Sequence, residues 1–146
     1  MSGVVTFVCG LAGSGKSWFI DSVLKPDWAC HEGFMAVGRH EANHRKLVRR
    51  LRRGDACAVS ELQLMKRYVR DGYMLRLRRA VPDARVRWVF FENRPSKANR
   101  NCALRKNKPR DRGGRSHVRM NDGWSPYYEI PARATPRKIH VLRRAT

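Results

Sequence analysis

The chain has 146 residues, with 32 Lys and Arg against 12 Asp and Glu, and a formal net charge of +20. That length argues for one domain over residues 1–146 and excludes a large motor or helicase, which needs further domains. A field of that sign draws polyanions, nucleic acid first among them, although the same charge also serves simply to solvate a surface.

Val4-Val5-Thr6-Phe7-Val8-Cys9 is an apolar, β-branched run and predicts a buried parallel strand. Gly10-Leu11-Ala12-Gly13-Ser14-Gly15-Lys16-Ser17 follows at once, a complete G-x-x-x-x-G-K-S phosphate-binding loop. In that motif the glycines Gly10, Gly13 and Gly15, with Ser14 between them, let successive N–H groups face an anion. Lys16 reaches the β- and γ-phosphates, and the Ser17 hydroxyl takes Mg²⁺. The segment from Trp18 to Leu24 predicts a helix whose N-terminus points its positive end at the same phosphates. Strand, loop and helix in that order point to an ATP-binding α/β protein with a mostly parallel sheet.

Pro26-Asp27 ends the first helix, and Phe34 to Gly38 reads as either a short strand or a turn. Leu47, Val48 and Leu51 set a narrow apolar stripe that predicts a helix over 39–53, stopped by Gly54. Cys57 to Ser60 is a short buried strand, followed by a helix over about 62–80 that is interrupted or frayed near Gly72. Val86 to Phe91 predicts the next strand and Ser96 to Lys106 a further helix. Gly113, Gly114 and Gly123 among many arginines make residues 107–126 a mobile loop, so a basic lid is expected at about 100–126. Ile139 to Leu142 reads as a last strand. The whole pattern is that of a three-layer α/β/α fold.

Phosphoryl transfer also needs a carboxylate for the metal, a base for the acceptor hydroxyl and cations on the transferring group. Glu61 closes the apolar run Ala56–Ser60 and is the metal candidate beside Ser17; the competing reading makes it a helix-terminal glutamate. Glu32 and Glu41 are the acids in the right part of the chain for a base. Arg100 and Arg105, with Arg110 behind them, stand where a closing lid can reach the γ-phosphate. His40 and His44 share a helix face, but no third ligand for zinc is evident. Asn107-Lys108-Pro109-Arg110-Asp111 misses a guanine-reading N-K-x-D by one residue. Trp124, Tyr127 and Tyr128 suit either base stacking or core packing. Cys9, Cys30, Cys57 and Cys102 form no C-x-x-C, which fits a reducing compartment. With neither a leader-like N-terminus nor an apolar run of about 18 residues, the expectation is a cytoplasmic protein off the membrane.

Taken together, GLAGSGKS, HEGF at 31–34, the stretch 38–61, VRWVFFENRP at 86–95, Asn101 and YYEIP at 127–131 resemble small P-loop kinases of the polynucleotide-kinase-like group. The resemblance implies ATP and Mg²⁺ as cofactors and a nucleic acid, nucleotide or other anionic acceptor. It implies Glu32 as the base in place of an Asp-Asp pair, and Glu61 in place of a strand-ending Asp. It also aligns Glu92-Asn93-Arg94-Pro95 with an E-N-D-P segment, so that Arg94 is a charge reversal. Two other readings stand beside phosphotransfer: a nucleic-acid-binding switch that uses the nucleotide to order its lid, and a basic nucleic-acid-binding protein with a vestigial loop.

Overall fold

The computed structural model describes residues 1–104 and 115–142. Among these residues four parallel strands, β1 (Val4–Cys9), β2 (Trp28–Cys30), β3 (Ala56–Ser60) and β4 (Arg85–Phe90), form one sheet in the order β2-β3-β1-β4. β1 lies inside it, in register with β3 from Val4↔Ala56 to Val8↔Ser60 and with β4 from Val4↔Arg85 to Cys9↔Phe90. Its side chains at Val5, Phe7, Val8 and Cys9 are fully buried, which is why a near-continuous apolar run was needed there.

Among the described residues, five α-helices connect and flank the strands: α1 (Lys16–Phe19), α2 (His40–Arg52), α3 (Arg67–Ala80), α4 (Pro95–Leu104) and α5 (Arg115–Trp124). The α1 turn continues as a π-helical stretch over Ile20–Leu24. α2 buries His44, Leu47, Val48 and Leu51, and α3 buries Tyr73 and Leu77. The two helices meet where His44 Nδ1 and the Tyr73 hydroxyl lie 2.8 Å apart, and the Tyr73 ring stands edge-on to Phe7 of β1. The β1-to-β2 crossover runs the opposite way across the sheet, so right-handedness puts α1 on the other face. This is the α/β P-loop NTPase fold.

Several elements differ from the sequence reading. β2 is a strand of three residues, too short for a period-two signal to register. Phe34 to Gly38 is turn, with Phe34 wholly buried against the rings of Tyr73 and His40. The segment 62–80 breaks at Lys66, not at Gly72: a 3-10 turn over Leu62–Met65 is followed by an extended Lys66, and Gly72 lies within α3. α5 occupies half of the stretch expected to be a mobile loop, because Val118 and Asn121 give it an inward face that the arginines obscure. Residues 105–114 of the expected lid, including Arg105, Arg110 and the Asn107–Asp111 segment, lie outside the described residues. Ile139 to Leu142 is not a strand; the only bridge there is the parallel pair Phe91↔Arg137 among the described residues. No helix among the described residues is long and apolar enough to cross a membrane.

Candidate active site

The phosphate loop leaves the C-terminal end of β1 and turns into α1. Gly13 and Gly15 hold φ of 84° and 102°, a region that disfavours a side chain. At Gly13 space adds a second constraint, since a Cβ there would run into the Ala98 carbonyl and the Cys102 sulfur of α4. Ser14 is buried and folds its hydroxyl back onto the Leu11 carbonyl at 2.7 Å. The Lys16 ammonium donates to the carbonyls of Gly10 at 2.6 Å and Leu11 at 2.9 Å, so it lies across the mouth of the loop. Ser17 is exposed at the start of α1.

A cleft of about 370 Å³ opens beside this loop. Its walls bring together Lys16, Ser17, Glu32, Glu61 and His117. Four of these are residues singled out in the sequence, and they come from three separate segments of the chain. Glu61 is nearly buried. Its Oε1 accepts from the Met35 N–H at 2.7 Å and its Oε2 from the Gln63 N–H at 3.2 Å. The residue therefore caps the 3-10 turn, as one of the two sequence readings had it, while also facing the cleft. Glu32 is exposed on the turn after β2, next to His31, which lies 2.7 Å from Asp21. Glu41 faces elsewhere and pairs with Arg76 at 2.6 Å, which holds its carboxyl below the ordinary range.

The donor chemistry suits a hard cation. A hydroxyl and carboxylates line one wall, and each Glu61 oxygen uses one lone pair on a backbone N–H and keeps another. Magnesium typically takes one or two protein oxygens and fills the rest with water and phosphate oxygens. Among the described residues no three His, Cys, Asp or Glu cluster in a metal-binding group. His40 and His44 are engaged otherwise: His40 lies 3.2 Å from the Phe34 carbonyl and His44 contacts Tyr73.

Arg100 is exposed on α4 and is not among the residues lining the cleft, whereas Arg105 lies outside the described residues. Arg94, the reversed charge, lies 3.8 Å from Glu92, whose carboxylate also accepts from Lys97 at 2.9 Å and from the Ile139 N–H at 3.0 Å. The Lys97 hydrogen bond, supported by Ile139, keeps the Glu92 carboxyl below its ordinary value. Glu92 thus ties α4 to the C-terminal segment.

The supports of the loop were missed by sequence reasoning. Asn121 of α5, wholly buried, accepts from the Ala12 N–H and donates to the Ala12 carbonyl, both at 2.8 Å. Asn101 donates to the Gly13 carbonyl at 2.9 Å, and the Cys102 thiol to the Ala12 carbonyl at 3.3 Å. The Tyr128 hydroxyl is shared between the carbonyls of Cys9 at 3.1 Å and Phe91 at 2.5 Å, so Tyr128 packs in the core instead of stacking a base. Trp124 and Tyr127 instead face the Lys66 ammonium, at 4.7 and 5.2 Å from ring centroid to nitrogen. Burial pushes the Cys9 thiol up to about 12, so this cysteine at the head of the loop is a packing group and no nucleophile.

A sheet of this order with a full phosphate loop on an interior strand defines an α/β P-loop architecture. A gluconokinase from Sinorhizobium meliloti 1021 is similar in structure, with a TM-score of 0.53 and 18% sequence identity over 97% of this chain and 84% of that one. At that identity the likeness speaks to fold, and it reaches the P-loop kinase fold without reaching the polynucleotide-kinase-like group. No protein-family model matches the chain, and no curated protein matches it.

Proposed function

We propose that the chain is an ATP-dependent phosphotransferase that phosphorylates a hydroxyl group on an anionic acceptor. The observation that carries this reading is the single cleft shared by Lys16, Ser17, Glu61 and Glu32. The loop amides and Lys16 would hold the triphosphate. Ser17 and Glu61 would hold Mg²⁺, which when bound offsets the negative charge of the phosphate oxygens. Glu32 would accept the proton of the acceptor hydroxyl as its oxygen bonds to the γ-phosphorus. The bond from that phosphorus to the β–γ bridging oxygen breaks, and ADP leaves with the electron pair. The likeness to a kinase fold supports the reaction class.

Charge supports a nucleic acid 5′-hydroxyl or a nucleotide as acceptor, as the motif resemblance also implies. α2 carries Arg45, Lys46, Arg49 and Arg52 on its exposed side, with Arg53 just after it, and such a face attracts a phosphodiester chain. A small hydroxylated metabolite is the second reading, favoured by the similar structure being a gluconokinase. A screen with γ-labelled ATP against short DNA, short RNA, mononucleotides and a metabolite pool tests both. Label on oligonucleotide 5′ ends or nucleotides supports the first reading, and label on a metabolite supports the second. ATP binding and salt-sensitive nucleic-acid binding with no labelled product would contradict phosphotransfer and leave the switch.

A further inference from the structure

The phosphate loop is held from behind by a residue that is distant in sequence. Asn121 is fully buried, and its carboxamide pairs with the backbone of one loop residue in both directions: Ala12 N–H to Oδ1 and Nδ2 to the Ala12 carbonyl, each at 2.8 Å. The geometry mimics a backbone pair, and it fixes the amide's orientation, because a flipped carboxamide would set donor against donor. The second Nδ2 hydrogen is used as well, on Asn99 Oδ1 at 3.0 Å, and Asn99 in turn donates to Asp122 at 3.0 Å.

We propose that Asn121 is a positioning residue for nucleotide binding, joining helix α5 to the phosphate loop so that the loop is preset for the anion. This rests on the reading of the cleft as a nucleotide site. Two consequences follow from the clamp. The Ala12 N–H is turned away from the anion and its carbonyl is tied down, so the loop presents fewer repelling oxygens to a phosphate. His117, Met120 and Asn121 also share one helix face by their spacing, and the first two line the cleft. The same clamp therefore sets where α5 stands against the bound nucleotide. The neighbouring bonds from Asn101 to the Gly13 carbonyl and from Cys102 to the Ala12 carbonyl hold oxygens, whereas Asn121 holds a loop N–H as well.

Asn121→Ala and Asn121→Asp test this, the second keeping size and the Ala12 N–H bond while replacing the donor with an acceptor. Binding of Mg·ATP is measured by calorimetry, and amide hydrogen exchange is followed for residues 10–15, for α5 and for β4. The expectation is affinity about tenfold weaker in both variants, the order of one or two lost hydrogen bonds. Faster exchange should be confined to the loop and α5. Wild-type affinity in the variants, or exchange that rises equally in β4, overturns the proposal. Failure of both variants to fold also counts against it, since a residue acting on the loop leaves the sheet intact. Absence of ATP binding in the wild-type chain would instead defeat the nucleotide-site reading itself.

Discussion

The two halves of the cleft are built differently. The half proposed for the nucleotide is braced from several sides: Asn101, Cys102 and Asn121 hold loop carbonyls, Tyr128 holds the end of β1, and motif residues face the opening. The half proposed for the acceptor is a turn over 31–39 with an exposed Glu32, and its anchors lie behind it. Asn43 donates to the Gly33 and Phe34 carbonyls, each at 3.2 Å, and Glu61 accepts from Met35. Under the proposed function, binding a triphosphate is one task with one solution, and preset backbone would meet it. An acceptor is selected by side chains at an open rim, which is where kinases of one fold differ.

Breaking the acceptor half alone gives the largest expected effect. Glu32→Gln keeps the size and removes the base, so turnover should fall about 10²- to 10⁴-fold while Mg·ATP affinity stays at the wild-type level. Steady-state kinetics against the acceptor found in the screen, paired with calorimetry, reads both numbers. A matching loss of ATP affinity would mean that the two halves are not separable. The Asn121 variants are the counterpart in the nucleotide half, with the smaller, about tenfold effect placed on binding.

The smallest effect concerns the packing behind the acceptor turn. Burial, with the Arg76 guanidinium adding to it, holds the His44 imidazole below its ordinary value of 6.5. Tyr73, Glu41, His40 and Arg76 are the groups that face it. The unfolded chain therefore takes up a proton more readily than the folded one. Stability from this site is complete above pH 6.5 and is lost as pH falls from there through the lower folded value. Thermal melts in mildly acidic against neutral buffer should show the midpoint dropping by a few degrees, and His44→Gln should flatten that drop. Glu92, whose carboxyl is also held low, acts in the same direction in a separate, more acidic window, its contribution present above 4.5 and lost as pH falls through its depressed value. An unchanged slope in the His44 variant would move the acid sensitivity elsewhere.

What was legible in the sequence follows the same division. β1, the loop and the start of α1 are contiguous, and a local motif specifies them, so Gly10 to Ser17 read directly. Glu61 was legible because it ends an apolar run. Asn121 was not: it acts on Ala12 across 109 positions, and nothing in its own neighbourhood marks it. α5 was hidden by Gly123 near its end and by the basic residues before it, because breaker and charge signals outweigh a short inward stripe. β2 carries only three residues and follows Pro26-Asp27, so it offered no alternation to read.

The central claim is that the loop grips a magnesium-bound triphosphate. Calorimetric titration of Mg·ATP into the wild-type chain and into Lys16→Ala tests it most directly. The account predicts saturable one-site binding in the wild type and affinity weaker by about 10²-fold or more in the variant, the order expected when a cation on the phosphates is removed. Equal heats in the two proteins, or no heat in either, would contradict it.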